Sequence, residues 1–285
     1  MPLLSTATGS FFAGRRANAF SGSAWSPSTD ITAAAWFDAS DTSSYTTSGS
    51  TVTAVTDKAG NATVTVTGTP NIFNTLDSKT VFTFTSGEDF ITDEVAQASS
   101  GNHWAIGVMQ WNQINDTKDS FWSVENNTVS ASSKRDYAVS SGNASAFDGE
   151  LDLDGLSSDR ISTTIGNKQD FDSGIAQNTW VIIGVIFNKT GNQIAVRVDG
   201  DNAFTPVDDY DNSINTNQDL RIFRNRASQR MQGQMAEFFT VADVPGTGGT
   251  DITDFEKAEG YLAWKWGLEG NLPSDHPYKN SAPTE

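Results

Sequence analysis

Residues 179–188 read Thr-Trp-Val-Ile-Ile-Gly-Val-Ile-Phe-Asn. A short, almost wholly apolar run rich in β-branched side chains is a strand, and this is the most apolar one in the chain. A turn at residues 189–192 leads into residues 193–198, and Asp199-Gly200 then supplies a tight turn. Two strands joined this closely form a hairpin, so the reading starts from a β-protein.

The same pattern extends on both sides. Ala35-Trp36-Phe37-Asp38 is a short apolar strand ending in an acidic turn. Residues 51–55 alternate, residues 57–61 (Asp-Lys-Ala-Gly-Asn) turn, and residues 63–67 alternate strictly, with Val64 and Val66 on one side. Residues 81–85 repeat this. Residues 103–111 show little alternation, as expected of a strand central in a sheet, and 120–124 follow. Residues 126–169 read as long polar loops with short strands near 137–139 and 161–165. Residues 219–224 and 234–241 are further strands. There is no internal repeat and no low-complexity linker.

The period changes near the C-terminus. Thr253 is placed to cap a helix, and Glu256 completes a capping box. Phe255, Ala258, Leu262 and Trp266 recur at helical spacing, and Gly267 is a natural stop. This predicts one helix of about four turns over residues 253–267, covering an edge or end of the β-body. Residues 271–278 continue as coil. Trp36, Trp180, Phe255, Leu262 and Trp266 are the expected core.

The chain has 285 residues, with 17 Phe and 8 Trp to build that core. One domain over residues 31–285, preceded by an arm over residues 1–30, is the simplest parse. The net charge of −17 opposes binding to a phosphate backbone, so nucleic acid is not an expected partner. The absence of cysteine excludes disulfides and thiolate metal sites. Residues 1–20 lack a charged start followed by an apolar run, so no secretory signal is read there. No stretch is long enough to insert in a membrane. The arm carries Phe11, Phe12, Arg15, Arg16 and Phe20, an aromatic and basic spot in an acidic chain. It is either a solvated tail or a docking arm that orders on an acidic neighbour.

Three blocks together resemble the concanavalin A-like, laminin-G-like jelly-roll domains of tailed-phage virion structural proteins of marine or cyanophage type. The first is Ala35-Trp36-Phe37-Asp38-Ala39-Ser40-Asp41 with Asp57-Lys58-Ala59-Gly60-Asn61. The second is Trp180 to Val185 leading into Val196-Arg197-Val198-Asp199-Gly200. The third runs from Gln232 to Phe239, then Glu259-Gly260-Tyr261-Leu262-Ala263-Trp264-Lys265-Trp266-Gly267-Leu268, and closes on His276-Pro277-Tyr278. The resemblance implies an all-β, two-sheet antiparallel jelly-roll sandwich with one short C-terminal helix and an extended N-terminal arm. It also implies a virion location, after synthesis in the host cytoplasm, as capsid decoration, head fibre or tail-associated module. Fold alone implies no ligand.

One stretch looks catalytic. Glu150-Leu151-Asp152-Leu153-Asp154 approaches the E-x-D-x-E of laminarinase-type glucanases, whose outer carboxylates act as nucleophile and acid/base. Here the terminal Asp154 is one methylene short. Asp148-Gly149 and Gly155 suggest turns, so a solvated acidic loop is the expected state. Asp148, Asp152, Asp154 and Asp159 are candidate ligands for Ca²⁺, the one cofactor these residues would suit. Asp199, Asp201, Asp208, Asp209 and Asp211 form a second acidic group without EF-hand spacing. His103 and His276 are the only histidines and lie too far apart in sequence to suggest zinc.

The expectation is therefore a non-enzymatic virion structural protein attached through its arm to other virion proteins, with homo-oligomers allowed. The alternatives are a carbohydrate-binding receptor-recognition module for host-surface glycans and, less favoured, a glycoside hydrolase using Glu150 and Asp154.

Overall fold

The computed structural model describes residues 24–85, 87–93, 102–113, 120–125, 135–141, 150–154, 169–172, 175–188, 190–191, 193–202, 219–225, 229–248 and 250–285. The strands of the first half are β1 (Ala33–Asp38), β2 (Tyr45–Ser48), β3 (Thr51–Val55), β4 (Val64–Thr67), β5 (Thr75–Leu76), β6 (Lys79–Thr80), β7 (Phe82–Phe84), β8 (Asp89–Thr92) and β9 (His103–Gln113). Then come β10 (Ser120–Glu125), β11 (Arg135–Ser141), β12 (Glu150–Asp154), β13 (Gln169–Asp172), β14 (Val181–Asn188) and β15 (Gln193–Val198). The set closes with β16 (Asp201–Asn202), β17 (Asp219–Ile222), β18 (Arg224–Asn225), β19 (Gln229–Arg230) and β20 (Gln232–Val241), followed by helix α1 (Thr253–Trp266).

The protein is a two-sheet antiparallel β-sandwich. The first sheet has the order β1-β20-β9-β14-β15-β16, and β7 shares one edge of the long β20 with β1. The second has the order β13-β12-β11-β10-β17-β8-β4. Between them lies a core in which Trp122 meets Phe238 at 5.1 Å and Phe82, Phe84 and Phe90 make edge-to-face contacts. Such aromatic pairs add to the burial of apolar area.

The first sheet is buried on both faces, which is why its central strands do not alternate in polarity. In β9, Ala105, Met109 and Trp111 face the second sheet, while Trp104, Ile106 and Val108 face α1. In β14, Ile183, Val185 and Phe187 go inward, while Ile182 and Ile186 go to the helix side. The helix therefore covers the outer face of this sheet, and not an edge or end as the sequence suggested. Gly184 marks the contact: a Cβ there would lie 2.5 Å from Phe255 Cζ.

Phe255, Leu262 and Trp266 are fully buried and Trp36 nearly so, as expected of core. Trp180 is not core: it is half-buried at the entrance to β14, packed against the helix-side cluster. The capping box also fails. Ile252 is the cap position, with no side-chain bond, and Thr253 is the first helical residue. The Asp251 carboxylate, one residue further out, accepts instead from the Thr253 N–H at 2.9 Å and hydroxyl at 2.6 Å. Gly267 ends the helix in the left-handed region at φ 72°.

Residues 150–154 correct another expectation. They form strand β12, paired to β11 on one side and β13 on the other, and not a turn. Flanking glycines misled the reading because a short strand between two turns carries the same local signal. Residues 161–165 lie outside the described residues.

Candidate functional site

The residues that carry the family resemblance are chiefly structural. Asp57 accepts four backbone N–H bonds, from Trp36 at 2.8 Å, Ala59 at 3.0 Å, Asn61 at 2.9 Å and Ala62 at 3.1 Å, and so ties the turn after β3 to β1. Lys58 bridges Asp38 at 3.0 Å and Asp41 at 2.8 Å and lies over the Trp36 ring. Burial pushes the Asp38 carboxyl up, but Lys265 and hydrogen bonds from Ser40, Lys265 and Lys58 hold it below the ordinary range.

Glu237, fully buried in β20, is the centre of this region. Its carboxylate accepts from Trp36 Nε1 at 2.9 Å, Trp266 Nε1 at 2.9 Å and Tyr261 OH at 3.0 Å, and pairs with Lys265 at 2.7 Å. Burial pushes its pKa up against the pull of Lys265. A carboxylate so fully engaged has no lone pair free for a substrate. Trp264 is half-buried and donates to the Tyr278 carbonyl at 2.9 Å, which holds the C-terminal coil to α1.

The structure also places the remaining candidates. His103 is buried in β9, where desolvation lowers its pKa to about 3 and keeps it neutral. His276 is buried far along the chain, against Glu259 at 3.1 Å. Asp199 accepts from the Ile182 N–H at 2.8 Å and sits in the β15–β16 turn, at φ 52°. Among the described residues, no group of three or more His, Asp or Glu side chains is arranged to hold a metal ion. On β12, positions 150, 152 and 154 alternate onto one face of an extended strand, and Asp172 and Asp170 stand opposite Glu150 and Asp152. The side chains of Glu150, Asp152 and Asp154 lie outside the described residues. So do Asp148, Asp159, Asp208, Asp209 and Asp211, and the docking residues Phe11, Phe12, Arg15, Arg16 and Phe20.

Sequence reasoning missed an open cleft of about 730 Å³ at one end of the first sheet. Residues 28–34 form one wall, residues 241–244 the other, and Asp254 of α1 the rim. Asp30, Asp243 and Asp254 bring carboxylates to it, and Ser28, Thr29 and Thr32 bring hydroxyls. Trp104 also lines it; the residue is fully buried and its indole N–H has no hydrogen-bond partner. Burial raises the Asp254 pKa, opposed by Lys257 and reinforced by the carboxylates of Asp251, Asp243 and Asp30. No sequence signal marks this site, because its walls are about 200 residues apart in the chain. Its volume falls in the ordinary range of small-ligand sites, roughly 300–1,000 Å³.

No family model matches the sequence, and no curated protein matches it. Solved structures do match. Domain 4 of AbnA, a GH43 extracellular arabinanase from Geobacillus stearothermophilus, in complex with arabinotriose, superposes with a TM-score of 0.51 at 13% identity, covering 78% of this chain and 95% of that one. The fold is a shared one. The receptor-binding domain of botulinum neurotoxin C/D mosaic serotype gives 0.51 at 14% identity over 80% of this chain. The binding domain of botulinum neurotoxin DC, in complex with rat synaptotagmin II, gives 0.51 at 14% identity over 81%. This chain spans about half the length of those toxin domains, 51% and 52%. At such identities the likeness establishes the β-sandwich and nothing finer.

Proposed function

We propose that this chain is a carbohydrate-binding recognition module without catalytic activity, carried on a phage virion by its N-terminal arm. The observation that carries the binding role is the open polar cleft between residues 28–34 and 241–244, where the hydroxyls of Ser28, Thr29 and Thr32 meet the carboxylates of Asp30, Asp243 and Asp254. A sugar offers alternating hydroxyl donors and acceptors to such a lining. The likeness to an arabinanase domain bound to arabinotriose supports the reading at the level of fold. The virion role rests on the sequence resemblance, with Phe11, Phe12, Arg15, Arg16 and Phe20 as the docking contacts.

Binding is tested by printing the fluorescently labelled chain on an array of bacterial and eukaryotic glycans, with and without Ca²⁺. Reproducible binding abolished by Thr32→Trp, which would fill the cleft mouth, is the expected result. Silence across the array refutes the binding role. The virion role is tested by mass spectrometry of purified particles, and absence from intact particles refutes it.

A hydrolase reading has one observation in its favour: β12 is extended, so Glu150 and Asp154 share a strand face. Hydrolysis of a β-glucan that survives Glu150→Gln unchanged eliminates it.

A further inference from the structure

Charge at the cleft bears on which sugars it takes. Its carboxylates belong to Asp30, Asp243 and Asp254, and among the described residues no lysine or arginine lines it. Asp251 adds a carboxylate just outside, held by Thr247 and Thr253. Carboxylates only accept hydrogen bonds, so they take hydroxyl or ammonium donors from a ligand and repel a ligand carboxylate. The donors are few. The Asn61 amide is spent on the Ala33 and Ala34 carbonyls at 3.0 and 3.1 Å, and the Thr29 hydroxyl on Asp30 at 2.6 Å. The Ser28 hydroxyl pairs with that of Ser26 at 2.8 Å, and neutral hydroxyls such as this one and that of Thr32 do not offset three carboxylates.

We infer that the cleft takes glycans that are uncharged or carry a free amino group, and rejects those bearing carboxylates such as sialic acids and uronates. The inference rests on the carbohydrate-binding reading and adds the ligand class to it. The whole-chain charge of −17 acts in the same direction at longer range.

The test uses the full chain on matched array pairs that differ only by sialylation, uronic acid or amine. Binding confined to neutral and amino members, with carboxylated partners weaker by about tenfold or more, is the expected result. Asp243→Asn with Asp254→Asn should then narrow the gap severalfold, with thermal melts confirming that the variant is folded. Equal or stronger binding of carboxylated members overturns the inference while the glycan reading stands. A gap unchanged in the folded double variant also overturns it for this cleft. No binding to any glycan overturns the carbohydrate reading itself, and the inference with it.

Discussion

Arg197 of β15 meets Glu259 of α1 along two parallel bonds, Nε to Oε1 at 2.8 Å and NH2 to Oε2 at 2.9 Å, with both side chains buried. The same guanidinium donates to the Gly200 carbonyl at 2.6 Å. His276 lies 3.1 Å from the shared carboxylate through Nε2, and the Tyr278 N–H donates to its Nδ1, so the ring hydrogen sits on Nε2 and points at Glu259. One carboxylate thus joins β15, the helix and the C-terminal coil.

Removing either charge of this pair strands the other out of water. Glu259→Ala and Arg197→Ala should each cost roughly 3–5 kcal/mol in urea unfolding. The double variant should cost clearly less than the sum, because the second change removes a charge already orphaned. Additive losses would show that the fork contributes no coupling.

Glu237 should be as sensitive. Glu237→Ala leaves Lys265 without its shortest partner and two buried indole N–H groups without acceptors. A loss of about 3–5 kcal/mol follows, a fall in Tm of roughly 10 °C for a domain of this size. A melting curve within 2–3 °C, about 1 kcal/mol, would mean water replaces these bonds at little cost.

Asp199 gives a pH signature. Burial pushes its pKa up to about 6, partly offset by the Ile182 N–H and Asn271. The folded form therefore binds the proton more tightly than the unfolded chain, whose Asp pKa is about 3.9. This contribution to stability is fully present below pH about 4 and is lost as pH rises through about 6. Asp199→Asn keeps the acceptor for Ile182 and suits the left-handed turn. It should melt several degrees above the parent at pH 7–8, on the order of 1–2 kcal/mol, and match it near pH 4. A constant difference at both pH values would exclude titration of this carboxyl as the cause.

Gly184 tests the seat of the helix. A methyl there would meet Phe255 Cζ at 2.5 Å and the Ala105 carbonyl oxygen at 2.9 Å. Gly184→Ala should cost about 1–3 kcal/mol, and adding Phe255→Leu should recover part of it by opening the ring side. No recovery in chemical denaturation would place the strain on the backbone carbonyl instead.

The sandwich is legible in the sequence where local pattern is strong. Residues 63–67 alternate because Val64 and Val66 pack on the core, residues 81–85 because Phe82 and Phe84 enter it, and residues 103–111 do not because β9 is covered on both sides. The helix is legible from Phe255, Leu262 and Trp266, though its cap is not, because the side chain that accepts at the helix start is that of Asp251, two residues before Thr253. The short strands β8 (Asp-Phe-Ile-Thr) and β13 (Gln-Asp-Phe-Asp) go unread because neither holds two apolar residues two positions apart. The cleft was not legible at all, nor was Trp180 as a half-buried residue.

By itself the sequence determined the all-β body, the terminal helix, the acidic charge and the lack of disulfides. These depend on neighbours within a few residues or on composition, which the chain carries openly. Tertiary structure alone decided that Trp36 reaches Glu237 across 201 positions, that the helix lies on a sheet face, and that Asp30, Asp243 and Asp254 share one cleft. Those meetings follow from the order in which strands pair, and strand order is set by the summed packing of all the faces at once.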